Sequence, residues 1–175
     1  YQKFTKNILE MSYESAELSK ISINLMLISS IMTSNMISLY CEKINANWPD
    51  IKRTLKMDKR IGKYAYLNPS PGLSGGNLER DLTNSLKLFN YKDLVKSWIE
   101  LDNKMRSWSV DIVKNYIKKN NSILISGITY KDNTLSTKNS LAFYLNKKLQ
   151  TNYKLTFFDN NVSFLKNFKN KIILE

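Results

Sequence analysis

Histidine is absent from this sequence of 175 residues, and cysteine occurs once, at Cys41. A single cysteine cannot form an internal disulfide, so we expect a reducing compartment, the cytoplasm. Without histidine, zinc sites of the ordinary Cys/His kind and histidine-based acid–base catalysis are excluded. A catalytic base must therefore be Lys, Asp, Glu or Tyr, and no metal site is predicted.

Glycine and proline are also scarce, and most of them are concentrated in one segment. Residues 68–81 hold two of the three prolines and three of the five glycines, namely Pro69, Pro71, Gly72, Gly75 and Gly76. Proline fixes φ and glycine reaches positive φ, so the segment is predicted to be a rigid, shaped loop. Its backbone N–H groups suit an anion or a sugar. The composition is equally compatible with the alternative that this segment is only a tight connection between two helices.

The chain carries 27 basic and 15 acidic residues, for a formal net charge of +12. Such an excess raises nucleic-acid or anionic-membrane binding as hypotheses. The lysines are nevertheless spread along the chain without a dense basic run, as a lysine-rich genome would produce. We expect no nucleic-acid partner. The alternative, a basic helical module, predicts nucleic-acid binding that depends steeply on salt.

Residues 12–44 contain no glycine or proline and are predicted to form one long helix. Its apolar residues recur at helical spacing and are Leu18, Ile21, Leu25, Ile28, Met32, Met36 and Leu39. No charged residue lies between Ile21 and Cys41, which is the length of a membrane span. About a third of that stretch is Ser, Thr or Asn, which is poor for a span. We therefore expect a helix buried between subunits or in a helical core, and no membrane.

Lys20 and Asn24 lie four residues apart on this helix and project from the same face. A lysine beside an amide can stabilise a developing oxyanion, since both groups donate directed hydrogen bonds. The alternative is a surface lysine beside an ordinary polar residue.

Further helices are predicted at 50–57, 82–89 and 93–119. The last has an apolar stripe typical of a core, formed by Leu94, Trp98, Leu101, Met105, Trp108, Ile112 and Tyr116. Arg60, close to Gly62, is either a solvated arginine or a phosphate or sugar ligand beside the loop.

The pattern changes after residue 119. Short apolar strands are predicted at 122–127, 154–158 and 172–174, with helices at 139–150 and 162–168 between them. This βαβαβ alternation predicts a parallel sheet with right-handed crossovers. The fold class is therefore α plus α/β, with a helical domain at 1–119 and a partial Rossmann-like α/β domain at 120–175.

The order of these motifs resembles the UDP-glucose/GDP-mannose dehydrogenase family. The match rests on Lys-x-x-x-Asn at 20–24, Arg-Ile-Gly at 60–62, the Pro/Gly segment and Ile-Thr-Tyr-Lys-Asp-Asn-Thr at 128–134. The resemblance implies NAD-linked oxidation of the C6 hydroxyl of a nucleotide sugar, in two steps that pass through a cysteine-bound intermediate. It also implies a homodimer formed through the helix 12–44.

Residue by residue, the resemblance assigns Lys20 and Asn24 to stabilisation of the oxyanion and Asp81 to activation of water. The segment 67–76 would cradle the UDP-sugar or a related nucleotide sugar. Further substrate-binding residues implied in the same way are Arg60, Leu67, Asn68, Pro69, Gly72, Gly75, Gly76, Lys131 and Lys138. Of these, Arg60 would reach a sugar held mainly by the partner subunit, and Lys131 would contact the nucleotide.

The sequence departs from the family pattern at three points. Asn77 stands where the family has its nucleophilic cysteine, and an amide cannot form a thioester. Lys138 replaces an arginine and loses its bidentate geometry. No Gly-x-Gly-x-x-Gly is present, so NAD would be bound mainly by a domain outside this chain, which begins at Tyr1 and is expected to be a fragment.

These departures predict chemistry that is either lost or limited to the first, reversible oxidation of alcohol to aldehyde. A non-catalytic homologue that binds nucleotide sugars or only dimerises is the alternative.

Overall fold

The computed structural model describes residues 5, 7–130, 134, 136–160 and 171–172, and within these ranges a helical part precedes a small parallel sheet. The elements in chain order are α1 (Tyr13–Ile44), α2 (Trp48–Met57), α3 (Asn77–Leu88), α4 (Lys92–Tyr116), β1 (Ser122–Ser126), α5 (Leu141–Leu149), β2 (Lys154–Phe158) and β3 (Lys171–Ile172). This order confirms the α plus α/β class.

The long helix α1 is confirmed almost to the residue. Ser12 caps it by accepting a hydrogen bond from Ser15 N at 3.3 Å, and Asn45 ends it in the left-handed conformation. By length and composition α1 is the one helix among the described residues that is apolar enough to cross a membrane. Core helices of proteins outside membranes pass the same test, and α1 packs against α3 and α4.

The predicted stripe on α1 is only partly correct. Ile28 and Met32 are buried, but Leu18 and Met36 are 50% and 58% exposed. Burial follows the one side of α1 that α3, α4 and the loop before α3 cover. This side includes three polar residues, Asn24, Ser34 and Asn35.

Helix α3 begins at Asn77, five residues before the predicted start at Leu82. Gly76 occupies the N-cap position, so the helix starts as soon as the glycines end. Consequently Asn77 and Asp81 lie on a helix rather than in a loop.

The predicted stripe on α4 is also partly wrong, since Leu94 is 55% and Tyr116 81% exposed. The buried residues of α4 are Val95, Asp102, Met105 and Val110. Val95 packs in the core between α1, α3 and α4, while Val110 packs in the core of the sheet. Helix α4 therefore contacts both parts, and the domain division at 119/120 stays a prediction.

The three strands are parallel in the order β1-β2-β3, with Ser122 opposite Lys154 and Phe157 opposite Lys171. Helix α5 connects β1 to β2, which confirms the Rossmann-like crossover. Asp159 accepts a hydrogen bond from Ile128 N at 2.7 Å and ties together the carboxyl ends of β1 and β2. The predicted strand 172–174 is described only at its start, and the predicted helix 162–168 lies outside the described residues.

Candidate functional site

The Pro/Gly loop, residues 67–76, directly precedes α3 and is held by α1, by α4 and by the segment before α5. Asn35 of α1 accepts a hydrogen bond from Ser70 N at 2.7 Å. Asp102 of α4 accepts one from Leu73 N, and Gly75 N donates to Lys138 O at 3.0 Å. The loop is therefore a built structure and not a slack connection between helices.

A cleft of about 410 Å³ opens between this loop, α1 and the start of α3. Its lining residues are Asn24, Leu27, Ile31, Tyr66, Ser70, Gly72, Leu73, Ser74, Gly75, Gly76, Asn77, Leu78 and Tyr130. The volume falls within the range of small-molecule sites, and the lining combines apolar side chains with a few polar groups. We call it the loop cleft.

Four polar side chains form a continuous hydrogen-bonded chain at one side of the loop cleft. Lys20 Nζ donates to Asn24 Oδ1 at 3.2 Å, and Asn24 Nδ2 donates to Asp81 Oδ2 at 2.5 Å. Arg80 Nε donates to Asp81 Oδ1 at 2.9 Å. The structure therefore brings Lys20, Asn24 and Asp81 together, and Asn24 itself reaches the cleft.

The residue Asp81 is 6% exposed, and the pKa of its carboxyl group is lowered. Burial acts to raise the pKa, but the hydrogen bonds from Arg80 and Asn24 and the positive charges of Arg80 and Lys20 outweigh it. The pKa of Asp81 consequently lies below its ordinary value, so that this carboxylate is ionised near neutrality and orders Asn24.

Several other predicted residues also meet at the cleft. Asn77 lines it at the first turn of α3, together with Gly72, Gly75 and Gly76. A Cβ built on Gly76 would lie 3.1 Å from Lys138 Nζ, which places that ammonium group directly over the loop.

Other predicted residues lie away from the cleft within this chain. Arg60 pairs with Asp58 at 2.6 Å, and its side chain is 89% exposed. Leu67 is buried, while Asn68 accepts a hydrogen bond from Lys52 and lies with Pro69 in a groove against α2. Lys131 lies outside the described residues.

Sequence reasoning gave no site role to several residues that shape the cleft, although one of them, Tyr130, lies in the motif at 128–134. Tyr130 packs on Gly75, and Asn139 donates a hydrogen bond to Gly75 O at 2.8 Å. Asp102 and Arg106 contact the backbone of Leu73. A carboxylate and an arginine four residues apart on a helix look like a surface ion pair, so no sequence signal identified the last two.

No group of three or more His, Cys, Asp or Glu side chains comes together among the described residues. The 175 residues also contain no Gly-x-Gly-x-x-Gly turn, the usual dinucleotide-binding motif.

Comparison with solved structures identifies the class of protein to which this fold belongs. The fold is similar to that of a solved UDP-glucose dehydrogenase from Pyrobaculum islandicum, with a TM-score of 0.82, 18% identity, and 94% of this chain and 40% of that chain covered. The fold is therefore that of nucleotide-sugar dehydrogenases.

A family model, the UDP-glucose/GDP-mannose dehydrogenase family, central domain, matches residues 14–105. The chain belongs to this family. It is 31% identical over 159 residues to a UDP-glucose 6-dehydrogenase of Rickettsia bellii, covering 85% of this chain and 36% of that protein. To the UDP-glucose 6-dehydrogenase of Rattus norvegicus it is 29% identical over 153 residues, covering 82% of this chain and 31% of that protein. The chain thus spans about a third of the length of these relatives.

Proposed function

We propose that this chain supplies the substrate-binding and subunit-contacting part of an NAD-dependent nucleotide-sugar 6-dehydrogenase of the cytoplasm, acting on a UDP-sugar or a related nucleotide sugar. The observation that carries the proposal is the hydrogen-bonded chain Lys20–Asn24–Asp81 beside the loop cleft. It supplies fixed donors where negative charge develops on a sugar oxygen.

The hydrogen bonds specify which donors remain for substrate. Asn24 uses one N–H of its amide on Asp81, and its oxygen accepts from Lys20. One amide N–H of Asn24 and two N–H groups of Lys20 are left to hold the C6 oxygen as its proton passes to water. Asp81 fixes the direction of the Asn24 amide, and the activation of water that the resemblance assigns to Asp81 remains part of the proposal.

The Pro/Gly loop would hold the sugar and diphosphate with its backbone N–H groups, as glycine-containing turns do for anions. Lys138, which lies over Gly76, adds a positive charge at the rim of the loop cleft. Arg60 points into solvent within one subunit, which is consistent with a role at the substrate of the partner subunit. Lys131 keeps its proposed contact with the nucleotide.

Asn77 limits the chemistry. Asn77 lines the cleft, and the resemblance assigns it the position of the family's cysteine. An amide has no thiolate to attack an aldehyde. Without a thiohemiacetal the second oxidation has no covalent route. We therefore restrict the proposed reaction to the reversible conversion of the C6 alcohol to the aldehyde.

The oxidant that accepts the hydride is NAD. Because this chain has no Gly-x-Gly-x-x-Gly turn, the proposal assigns NAD mainly to a domain outside these 175 residues.

A homodimer through α1 is part of the proposal. The helix exposes an apolar stripe at the spacing of one helical face, formed by Ile23, Met26, Met36, Tyr40 and Ile44, each more than half exposed. An uncovered stripe of this kind marks an interaction surface.

The test is turnover of the protein that includes this chain with NAD and a panel of UDP-sugars, in the presence of an aldehyde trap. We expect at most one NADH per sugar and a trapped aldehyde. Two NADH per sugar with a uronic acid would contradict the restriction to one step.

Asn77 also favours a second candidate, a non-catalytic homologue that binds nucleotide sugars. Binding of UDP-sugars by calorimetry without any NADH supports this candidate over the first. Absence of both binding and turnover across the panel overturns both.

A further inference from the structure

Asp102, Arg106 and the backbone of Leu73 form a closed ring of hydrogen bonds between α4 and the Pro/Gly loop. One carboxylate oxygen of Asp102 accepts from Leu73 N, and the other accepts from Arg106 Nε at 3.1 Å. Arg106 Nη2 in turn donates to Leu73 O. Both polar backbone groups of a single loop residue are thus held by one ion pair.

The ring differs from an ordinary ion pair on a helix surface in its burial. The side chains of Asp102 and Arg106 are 12% and 14% exposed, whereas those of the Asp93–Lys96 pair on the same helix are 96% and 58% exposed. Buried charged groups are retained only when they are paired and hydrogen-bonded, and losing one partner leaves the others unsatisfied. The ring therefore behaves as a unit.

Gly72 makes room for the ring. Its φ is +113°, and a Cβ at this position would lie 2.7 Å from Arg106 Cγ. The arginine therefore occupies the space that any other residue at this position would fill. The aliphatic part of the Arg106 side chain thus packs against Gly72 because glycine has no Cβ.

Holding Leu73 has a consequence for the neighbouring loop residues. Leu73 is 3% exposed and packs in the core with Ile28 and Val95, while Gly72 and Ser74 line the loop cleft on either side of it. Fixing both backbone groups of Leu73 fixes the direction of the adjoining peptide groups in the cleft.

We propose that Asp102 and Arg106 are positioning residues that hold the Pro/Gly loop in its ligand-binding shape through the backbone of Leu73. For the ligand this inference rests on the proposed function. The shape of the loop is testable without any ligand.

The first experiment measures amide hydrogen exchange by NMR on the full chain, for the wild type and for Asp102→Asn and Arg106→Gln. In the wild type we expect Leu73 N–H to exchange as slowly as amides in the middle of α4. In each variant the exchange rate of Leu73 N–H should rise about ten-fold more than the exchange rates of the α4 amides. Such a difference means that the loop opens locally without unfolding of the whole chain. Asp93→Asn, in the exposed pair of the same helix, should leave Leu73 unchanged.

The second experiment measures the dissociation constant of UDP-glucose by calorimetry, which should rise about ten-fold in both variants and stay constant in Asp93→Asn. Rapid exchange of Leu73 in the wild type overturns the inference, and this result does not require a variant to fold. The inference is also overturned if, in the variants, the exchange rate of Leu73 N–H rises only as much as the rates of the α4 amides.

If the wild type binds no nucleotide sugar but the exchange results hold, the ring stands as a determinant of loop shape and the proposed function fails. If UDP-glucose binds equally to all variants despite faster exchange at Leu73, the proposed function stands and the positioning role is overturned.

Discussion

Asn24 on α1 donates a hydrogen bond from Nδ2 to Asp81 Oδ2 on α3 at 2.5 Å, and both side chains are buried, at 4% and 6% exposure. A buried amide and carboxylate that satisfy each other join two helices, and Asn24 also lines the loop cleft. The contact joins two helices, and under the proposed function it also orders a substrate-binding amide, so each role is open to a separate test.

Asn24→Asp should destabilise the fold by about 3 kcal/mol near pH 7, because it buries a second carboxylate against Asp81. In the folded variant, one of the two carboxyl groups at positions 24 and 81 should have a pKa above its value in the unfolded chain. The loss of unfolding free energy is therefore greatest above this pKa and becomes smaller as pH falls. Urea unfolding at pH 7 and pH 5 measures both effects. Asn103→Asp on the exposed side of α4 is the control, and a deficit that stays constant with pH would refute the pairing.

Asp81→Asn should cost about 1–2 kcal/mol at pH 7, through loss of charged hydrogen bonds with Asn24 and Arg80. The pKa of Asp81 is lowered in the folded state, so its contribution is complete above the unfolded value of about 3.9 and is lost as pH falls through the folded pKa. The difference in stability between wild type and variant should therefore shrink below about pH 4. Unfolding followed by circular dichroism across this range checks it. Asp111→Asn, an exposed carboxylate on α4, controls for net charge, and a difference that grows on acidification would contradict the sign.

Asn77→Cys should create a reactive thiol. The residue is exposed in the first turn of α3, where the helix dipole lowers a thiol pKa. Alkylation by iodoacetamide at pH 7 should be about three-fold or more faster than in Asn103→Cys, in the middle of α4. Cys41 is 4% exposed and should stay unmodified in the native state, as mass spectrometry of the wild type would verify. Equal rates at the two introduced cysteines would rule out activation by the helix terminus.

Gly72→Ala should destabilise the fold by about 2 kcal/mol, since it combines a strained φ of +113° with a contact at 2.7 Å to Arg106 Cγ. Gly62→Ala provides the matched control, because its φ is +83° but nothing lies within 4 Å of the new Cβ. We expect about 1 kcal/mol there, from strain alone. A double-mutant cycle with Arg106→Ala should recover part of the loss at residue 72, and strict additivity would argue against the contact.

Met26→Lys should weaken the proposed dimer about ten-fold or more, because it places a charge in the apolar stripe of α1. Met26 is 70% exposed in the single chain. Light scattering after size-exclusion chromatography across a concentration series gives the mass of each species. Met57→Lys, at a position on α2 that is 82% exposed, should leave the mass unchanged. A wild type that is monomeric at every concentration would refute the interface.

Helices and strands that are specified by short stretches of the chain can be predicted from the amino-acid sequence alone. The helix 12–44 follows from the absence of glycine and proline, and the strand 154–158 from a short apolar run before Asp159. The order of the motifs along the chain also indicates the family, and the match over residues 14–105 confirms it. The pairing of Lys20 with Asn24 likewise follows from helical spacing.

The buried faces of the helices and the supports of the loop depend instead on tertiary packing. The stripe through Leu18 and Met36 failed because burial depends on where α3 and α4 pack, and helical spacing does not carry that information. The contact of Asn24 with Asp81 joins residues 57 positions apart, and the hydrogen bond from Arg106 to Leu73 spans 33. Such contacts arise only when packing brings distant segments together, so the Pro/Gly loop was visible in the sequence while its supports were not.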